Sequence, residues 1–194
     1  DVDDTGREYM RFAMDGAQRL SAMIRALLSY SRVGTEPQEL VAVPLGIPLE
    51  RCLKVLAERI DEAGATVRVA GEMPQVKGDE AQLEQLFQNL LGNALKFRRK
   101  DVAPEVDISA VRDGREFLIT VRDNGIGIDP GHHDRIFDVF QRLHTRTEYS
   151  GSGIGLAICR RIVERHSGQI RVAPSEGPGT SFLVSLLAAG PEED

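Results

Sequence analysis

Cysteine is scarce: two in 194 residues, Cys52 and Cys159. They stand far apart, each in a helix-like stretch, so neither a disulfide framework nor a metal knuckle is suggested, and a reducing, cytoplasmic setting fits. Long hydrophobic runs are missing as well. No apolar stretch approaches the roughly 18 residues a membrane span needs, and the Asp1-Val2-Asp3-Asp4 start lacks a signal peptide's basic opening. No membrane segment is expected within these residues. Positive charge is outnumbered, with 24 Lys and Arg against 30 Asp and Glu and a net charge of -6. A nucleic-acid binder needs clustered cations that are not cancelled, so no nucleic-acid partner is expected. The length allows one well-packed domain with a short appendage, because a domain of about 150 residues already buries most of its surface.

The first segment reads as one long helix, opened by a Thr5/Glu8 capping box and uninterrupted by proline before Pro37. Tyr9, Ala13, Gly16, Leu20, Met23, Leu27 and Tyr30 step by alternating fours and threes, the spacing of a seam against other helices. A helix folded back on its own domain would show a similar stripe. Gly34 and Pro37 break the pattern, which divides the chain into a helical prefix, 1–36, and a domain, 37–188, with a frayed tail at 189–194. Within the domain the pattern predicts strands at 41–43, 66–70, 105–111, 116–122, 170–172 and 180–187. Helices are predicted at 49–60, 79–97 and 154–166, with a short one at 130–137. Asp113-Gly114 suits a hairpin turn. The fold class is therefore α/β: a two-layer sandwich of a mixed sheet with helices on one face, preceded by a long N-terminal helix.

Three segments carry candidate chemistry. Asn89, Asn93 and Lys96 share one helical face at spacings of four and three. Neutral amide oxygens can ligate Mg²⁺, and lysine can meet a phosphate as a point charge; a solvated helix face is the bland alternative. Asp123-Asn124-Gly125-Ile126-Gly127 falls where a strand ends and the chain must turn. A carboxylate there can accept a hydrogen bond from an adenine amino group, with glycines leaving the ring room, although a capped tight turn reads the same way. Gly151-Ser152-Gly153-Ile154-Gly155-Leu156 runs straight into a helix, where backbone N–H groups suit phosphate oxygens. It lacks the Lys-Ser/Thr ending of a P-loop and the spacing of a dinucleotide fingerprint. The polar stretch before it, with Arg142 and Arg146, suits a lid. Of the four histidines, adjacent His132 and His133 lack a third ligand at useful spacing for Zn²⁺, and His166 near a helix end reads as a dipole-favoured surface residue.

These segments, with Phe137-x-x-Phe140 and Gly177-Pro178-Gly179-Thr180, occur in an order that resembles the catalytic domain of sensor histidine kinases. That domain sits within the wider superfamily of gyrase-type, Hsp90-type and mismatch-repair-type ATPases. The resemblance runs from about Val41 to Leu187. It implies ATP and Mg²⁺ as ligands, with Asn93 on the metal, Asn89 and Lys96 facing the phosphates as catalytic residues, and Asp123 on the adenine beside Phe97. Gly125, Gly127, Gly151, Gly153, Gly155 and Leu156 would shape the pocket, Thr180 would close it, and Arg142 would reach a phosphate. The ATPase cousins carry a water-activating Glu one helical turn before the metal-binding Asn. Here that position is Asn89, and an amide cannot take a proton from water, so the resemblance implies ATP held for an external nucleophile.

The opening helix, through Leu27-Leu28-Ser29-Tyr30-Ser31-Arg32-Val33, is similar to the second helix of the dimerisation hairpin, in the style of phytochrome-like kinases. None of the four histidines stands in the phosphoacceptor context. The implied partners are therefore an upstream sensor with a histidine-bearing helix, a second copy in the full protein, and a response-regulator receiver domain. An ATP hydrolase of the same superfamily, a serine kinase acting on an anti-sigma partner, and a module that binds nucleotide or dimerises without transferring phosphate remain as alternatives.

Overall fold

The computed structural model describes residues 4–35, 39–141, 143, 153–174 and 177–190. The break expected at 36–37, and most of the segments expected to form a frayed tail and a lid, lie outside the described residues.

Helix α1 runs from Asp4 to Thr35. Thr5 is inside it rather than capping it, and Gly34 is still helical, because the packing of the last turn outweighs the glycine's preference to stop. That last turn is the part that docks. Val33 is 3% exposed, Ser29 Oγ accepts from Gln85 Nε2 at 2.6 Å, and the Val33 carbonyl accepts from Arg165 Nη1 at 3.1 Å. Farther up, the seam residues Tyr9, Leu20 and Leu27 stay exposed, together with Phe12, Ile24 and Leu28. Along most of its length α1 therefore carries apolar surface that none of the described residues covers.

The domain proper follows the order β1 (Val41–Pro44), α2 (Gly46–Ala63), β2 (Thr66–Ala70), β3 (Gln75–Gly78), α3 (Glu80–Lys96), β4 (Glu105–Asp113), β5 (Glu116–Asp123), α4 (Gly155–Arg165), β6 (Ile170–Ala173) and β7 (Ser181–Leu187). Five strands form one mixed sheet in the order β2-β4-β5-β7-β6, with β2 parallel to β4 and every other pair antiparallel. The β4–β5 hairpin turns through Gly114 at φ 57, the left-handed conformation the Asp-Gly signal anticipates. Strand β3 has no signal of its own. Four residues after Pro74 are too short to show alternation, and they become a strand only by pairing with β1. The segment 130–137 forms two 3₁₀ turns, Pro130–His132 and Arg135–Phe137, instead of a helix.

One face of the sheet is apolar in rows that cross the strands. Ile108, Val121 and Phe182 lie side by side, as do Ile119 and Val184, and all five are buried on the face that α3 and α4 pack against. Side chains alternate along a strand, so Asp123 and Thr180, two residues beyond Val121 and before Phe182, belong to this same inward face. The core layer thus ends in polar groups at one edge.

The surface reading of His166 is corrected. This side chain is fully buried, because α4 ends against the start of α3. Its Nε2 accepts the Asp79 N–H at 2.9 Å, and its Nδ1 lies 2.7 Å from the Ile162 carbonyl, which fixes the proton on Nδ1. Asp79 in turn caps α3, its Oδ1 accepting from Ala81 N and Gln82 N at 3.0 and 3.2 Å. Burial holds the imidazole below the ordinary histidine value, against the smaller opposing influences of the Ile162 carbonyl and Asp79. The unfolded chain therefore binds the proton more readily than the native one. The resulting stability is full above about pH 6.5 and is lost as the pH falls through that value toward the depressed native pKa. Urea midpoints should drop between about pH 7.5 and about pH 5.5, and His166→Gln, which has no titrating group, should flatten the slope in that window. An unchanged slope would deny His166 this role.

Candidate functional site

Where the sheet's inward face meets α3 and the start of α4, the layers leave a cavity of 270 Å³, near the lower end of the roughly 300–1,000 Å³ typical of ligand pockets. Its walls bring together Asn89, Asn93, Lys96, Phe97, Asp123, Gly127, Gly153, Gly155, Leu156 and Thr180, ten of the thirteen candidate residues. Gly125 does not line the cavity, but its N–H donates to Asp123, which does. Arg142 and Gly151 lie outside the described residues, as does Arg146.

Asp123 ends β5 with its side chain turned inward. Its Oδ1 accepts from Gly125 N at 2.8 Å and Thr180 N at 3.1 Å, and its own N–H donates to the Thr180 carbonyl at 2.8 Å. The two carboxylate oxygens are thus unequal: one is committed to the backbone and the other is left for a ligand donor. Burial raises the carboxyl pKa above its usual value, and the N–H donors from Gly125 and Thr180 oppose that rise without cancelling it. The turn around Asp123 leaves no room for side chains. A Cβ at Gly125 would lie 2.4 Å from the Phe97 carbonyl oxygen, and one at Gly179, where φ is 108, would lie 1.9 Å from the Asp123 carbonyl oxygen.

Helix α3 buries Leu83, Leu86, Phe87, Leu90 and Leu91 and turns the flank bearing Asn89, Asn93 and Lys96 to the cavity. A Cβ at Gly155 would sit 3.1 Å from Asn89 Oδ1, so the bare first residue of α4 lets that helix start in tight contact with the Asn89 side chain. The amide flank of α3 therefore faces the positive end of the α4 dipole, a combination suited to an anion. Lys96 Nζ rests 4.3 Å from the centre of the Phe97 ring. The Phe140 N–H donates to the Gly153 carbonyl at 3.1 Å, joining the described residues on either side of the 141–152 segment.

Six further residues line the cavity that the motifs alone do not single out: Ile126, Ile128, Ile136, Gln141, Leu143 and Phe182. Two were within reach of the pattern. Ile126 alternates with the glycines of the Asp123 turn, and Phe182 shares the inward phase of Thr180. Ile136, Gln141 and Leu143 arrive through the irregular 130–143 segment, whose path has no periodicity to follow.

A family model described as histidine kinase-, DNA gyrase B- and HSP90-like ATPase matches residues 78–190. Cyanobacterial phytochrome A of Nostoc sp. is 42% identical over 193 residues, spanning 100% of this chain and 25% of the relative. The methanogenesis regulatory histidine kinase FilI of Methanothrix harundinacea is 33% identical over 168 residues, spanning 87% of this chain and 19% of that protein. The solved structure of full-length ShkA in complex with AMPPNP aligns with a TM-score of 0.73 and 27% identity, covering 99% of this chain and 41% of that one. The chain spans about a quarter of the length of the curated phytochromes it matches, 25% and 24%.

Two outcomes follow from this geometry. Gly125→Ala should lower the melting temperature by the equivalent of about 3 kcal/mol or more, because the blocking atom is backbone, whereas Gly114→Ala, with open space around it, should cost about 1 kcal/mol for its left-handed φ. Equal losses would refute the close approach. Because burial disfavours the Asp123 charge, Asp123→Asn should be at least as stable as the parent to urea at neutral pH. A marked loss would mean the carboxylate serves the fold.

Proposed function

Because the chain belongs to the family of histidine kinase-, DNA gyrase B- and HSP90-like ATPases, we propose that it is the ATP-binding catalytic part of a sensor histidine kinase, transferring the γ-phosphate to a histidine on an upstream helix. The observation that carries this reading is one cavity joining the half-committed Asp123 carboxylate to the Asn89–Asn93–Lys96 flank beside the start of α4. In this reading 37–188 is the nucleotide-binding domain and 1–36 is the second helix of a dimerisation hairpin.

The adenine amino group donates to Asp123 Oδ2, and the ring lies near Phe97, Ile126 and Ile128. The phosphates extend toward Asn89, Lys96 and the N–H groups at the start of α4. The donor set fits Mg²⁺, since Asn93 offers a neutral hard oxygen and leaves the other positions to phosphate and water. When bound, the metal would draw off charge from the transferring group. The acceptor imidazole nitrogen bonds to the γ-phosphorus as the bond to the β–γ bridging oxygen breaks, and that oxygen leaves with ADP, its growing charge met by Lys96. Asn89 orients a phosphate but cannot deprotonate water, so hydrolysis is suppressed in favour of transfer.

The uncovered apolar length of α1 supports pairing with the rest of a hairpin and with a second copy in the whole protein. The receiver domain of a response regulator is the proposed next acceptor. None of the described helices is long and apolar enough to cross a membrane, and a cytoplasmic setting is part of the proposal.

The test uses ATP labelled at the γ-position, this chain, and a separately prepared histidine-bearing hairpin. Label should pass to the histidine with little free phosphate, and Asn89→Ala should slow transfer by about 10²-fold, in the range for loss of one electrostatic contact in a transition state. Free phosphate without a labelled hairpin would move the assignment to a hydrolase, and neither product to a non-catalytic nucleotide module.

A further inference from the structure

Strand β5 pairs with β4 as far as Asp123 opposite Val106, so the next facing pair is Asn124 with Glu105. In a continuing antiparallel ladder these two would exchange both backbone hydrogen bonds. Only half of that exchange is made by backbone. The Asn124 N–H donates to the Glu105 carbonyl at 3.2 Å, but the Glu105 N–H goes to the Asn124 side-chain Oδ1 at 3.0 Å. The side-chain Nδ2 then donates to the Ala103 carbonyl at 3.0 Å. This substitution releases the Asn124 carbonyl from the sheet, and it accepts instead from Arg99 Nε at 2.8 Å.

The consequence falls on one peptide unit. The Asn124 carbonyl and the Gly125 N–H belong to the same rigid plane. Arg99 holds one side of it, and the other side donates to Asp123 Oδ1 at 2.8 Å. One residue on, the Ile126 N–H donates to the Phe97 carbonyl at 3.0 Å, which braces the turn against the end of α3. Neither Arg99 nor Asn124 lines the cavity.

We propose that Asn124 and Arg99 are positioning residues for nucleobase selection: by rotating and holding the 124–125 peptide they fix which oxygen of Asp123 is committed to the backbone and which is offered to the base. The assignment rests on the nucleotide reading of the site. A carboxylate oxygen aimed at the ring edge accepts from the amino group of adenine but opposes the carbonyl oxygen that guanine presents there. Fixing that aim therefore favours adenine over guanine, whereas the phosphate end of the site does not distinguish the two.

The experiment is calorimetric titration of the parent, Asn124→Ala, Arg99→Ala and Arg99→Lys with ATP·Mg²⁺ and with GTP·Mg²⁺, with circular dichroism melts of each. The parent should prefer ATP. Asn124→Ala and Arg99→Ala should each lose about tenfold in ATP affinity, the effect of one misplaced hydrogen bond, with GTP affinity nearly constant, so the preference narrows by the same factor. Arg99→Lys, which keeps a donor, should recover ATP binding to within about threefold of the parent. A merely structural contribution would lower ATP and GTP binding together and leave their ratio unchanged, and that result, or no change at all, would overturn the assignment. Should Asn124→Ala fold poorly, the half-buried Arg99 pair decides the matter by the same ratio. Failure of the parent to bind ATP would overturn the nucleotide reading itself, a result distinct from a parent that binds and variants that keep its selectivity.

Discussion

The structure turns on a carboxylate at the end of a hydrophobic row. Val121 and Asp123 share the inward face of β5, so the alternation that builds the core also carries a charge to the edge of that core. Burial there disfavours the ionised form, and two backbone N–H groups on one oxygen offset the cost only in part. Most of the unusual local features serve that arrangement. Gly125 and Gly179 are bare because backbone passes within contact of both, and Asn124 spends its side chain replacing a lost ladder bond. A cheaper way to end a strand would be a solvated turn. The expense makes sense if the second oxygen has a ligand to meet, as the proposed nucleotide supplies.

The two helices across the cavity complete the account. α3 has a fixed apolar flank in the core, which leaves Asn89, Asn93 and Lys96 on the adjoining flank, and the bare Gly155 brings the start of α4 against Asn89. Buried His166 ties the far ends of the same two helices together through the Asp79 cap. The relative placement of α3 and α4, and with it the phosphate end of the proposed site, thus depends on a neutral imidazole in the core well away from the cavity. The last turn of α1 rests on the same pair of helices through Gln85 and Arg165.

Much of this was legible in the residues. Periodicity located all three domain helices and six of the seven strands within a few residues, because each shows enough of its buried face. Strand β3 was not legible: Gln75–Gly78 is too short, and its identity lies in its pairing with β1. The site motifs were readable because glycines and polar residues interrupt apolar patterns at points where packing alone would not ask for them. The apolar cavity walls were less readable, since Ile126, Ile136 and Phe182 look like any core residue until the layers are seen to part around them. His166 was misread for a related reason. A histidine at a helix end gives no sign in one dimension that another helix begins against it.

The most direct measurement of the central claim is a structure of this chain with Mg²⁺ and a non-hydrolysable ATP analogue. The account requires the adenine amino nitrogen about 3 Å from Asp123 Oδ2, with Oδ1 still held by Gly125 and Thr180, and the metal on the Asn93 carboxamide oxygen. A nucleotide bound with its base away from Asp123, or a metal held without Asn93, would contradict it.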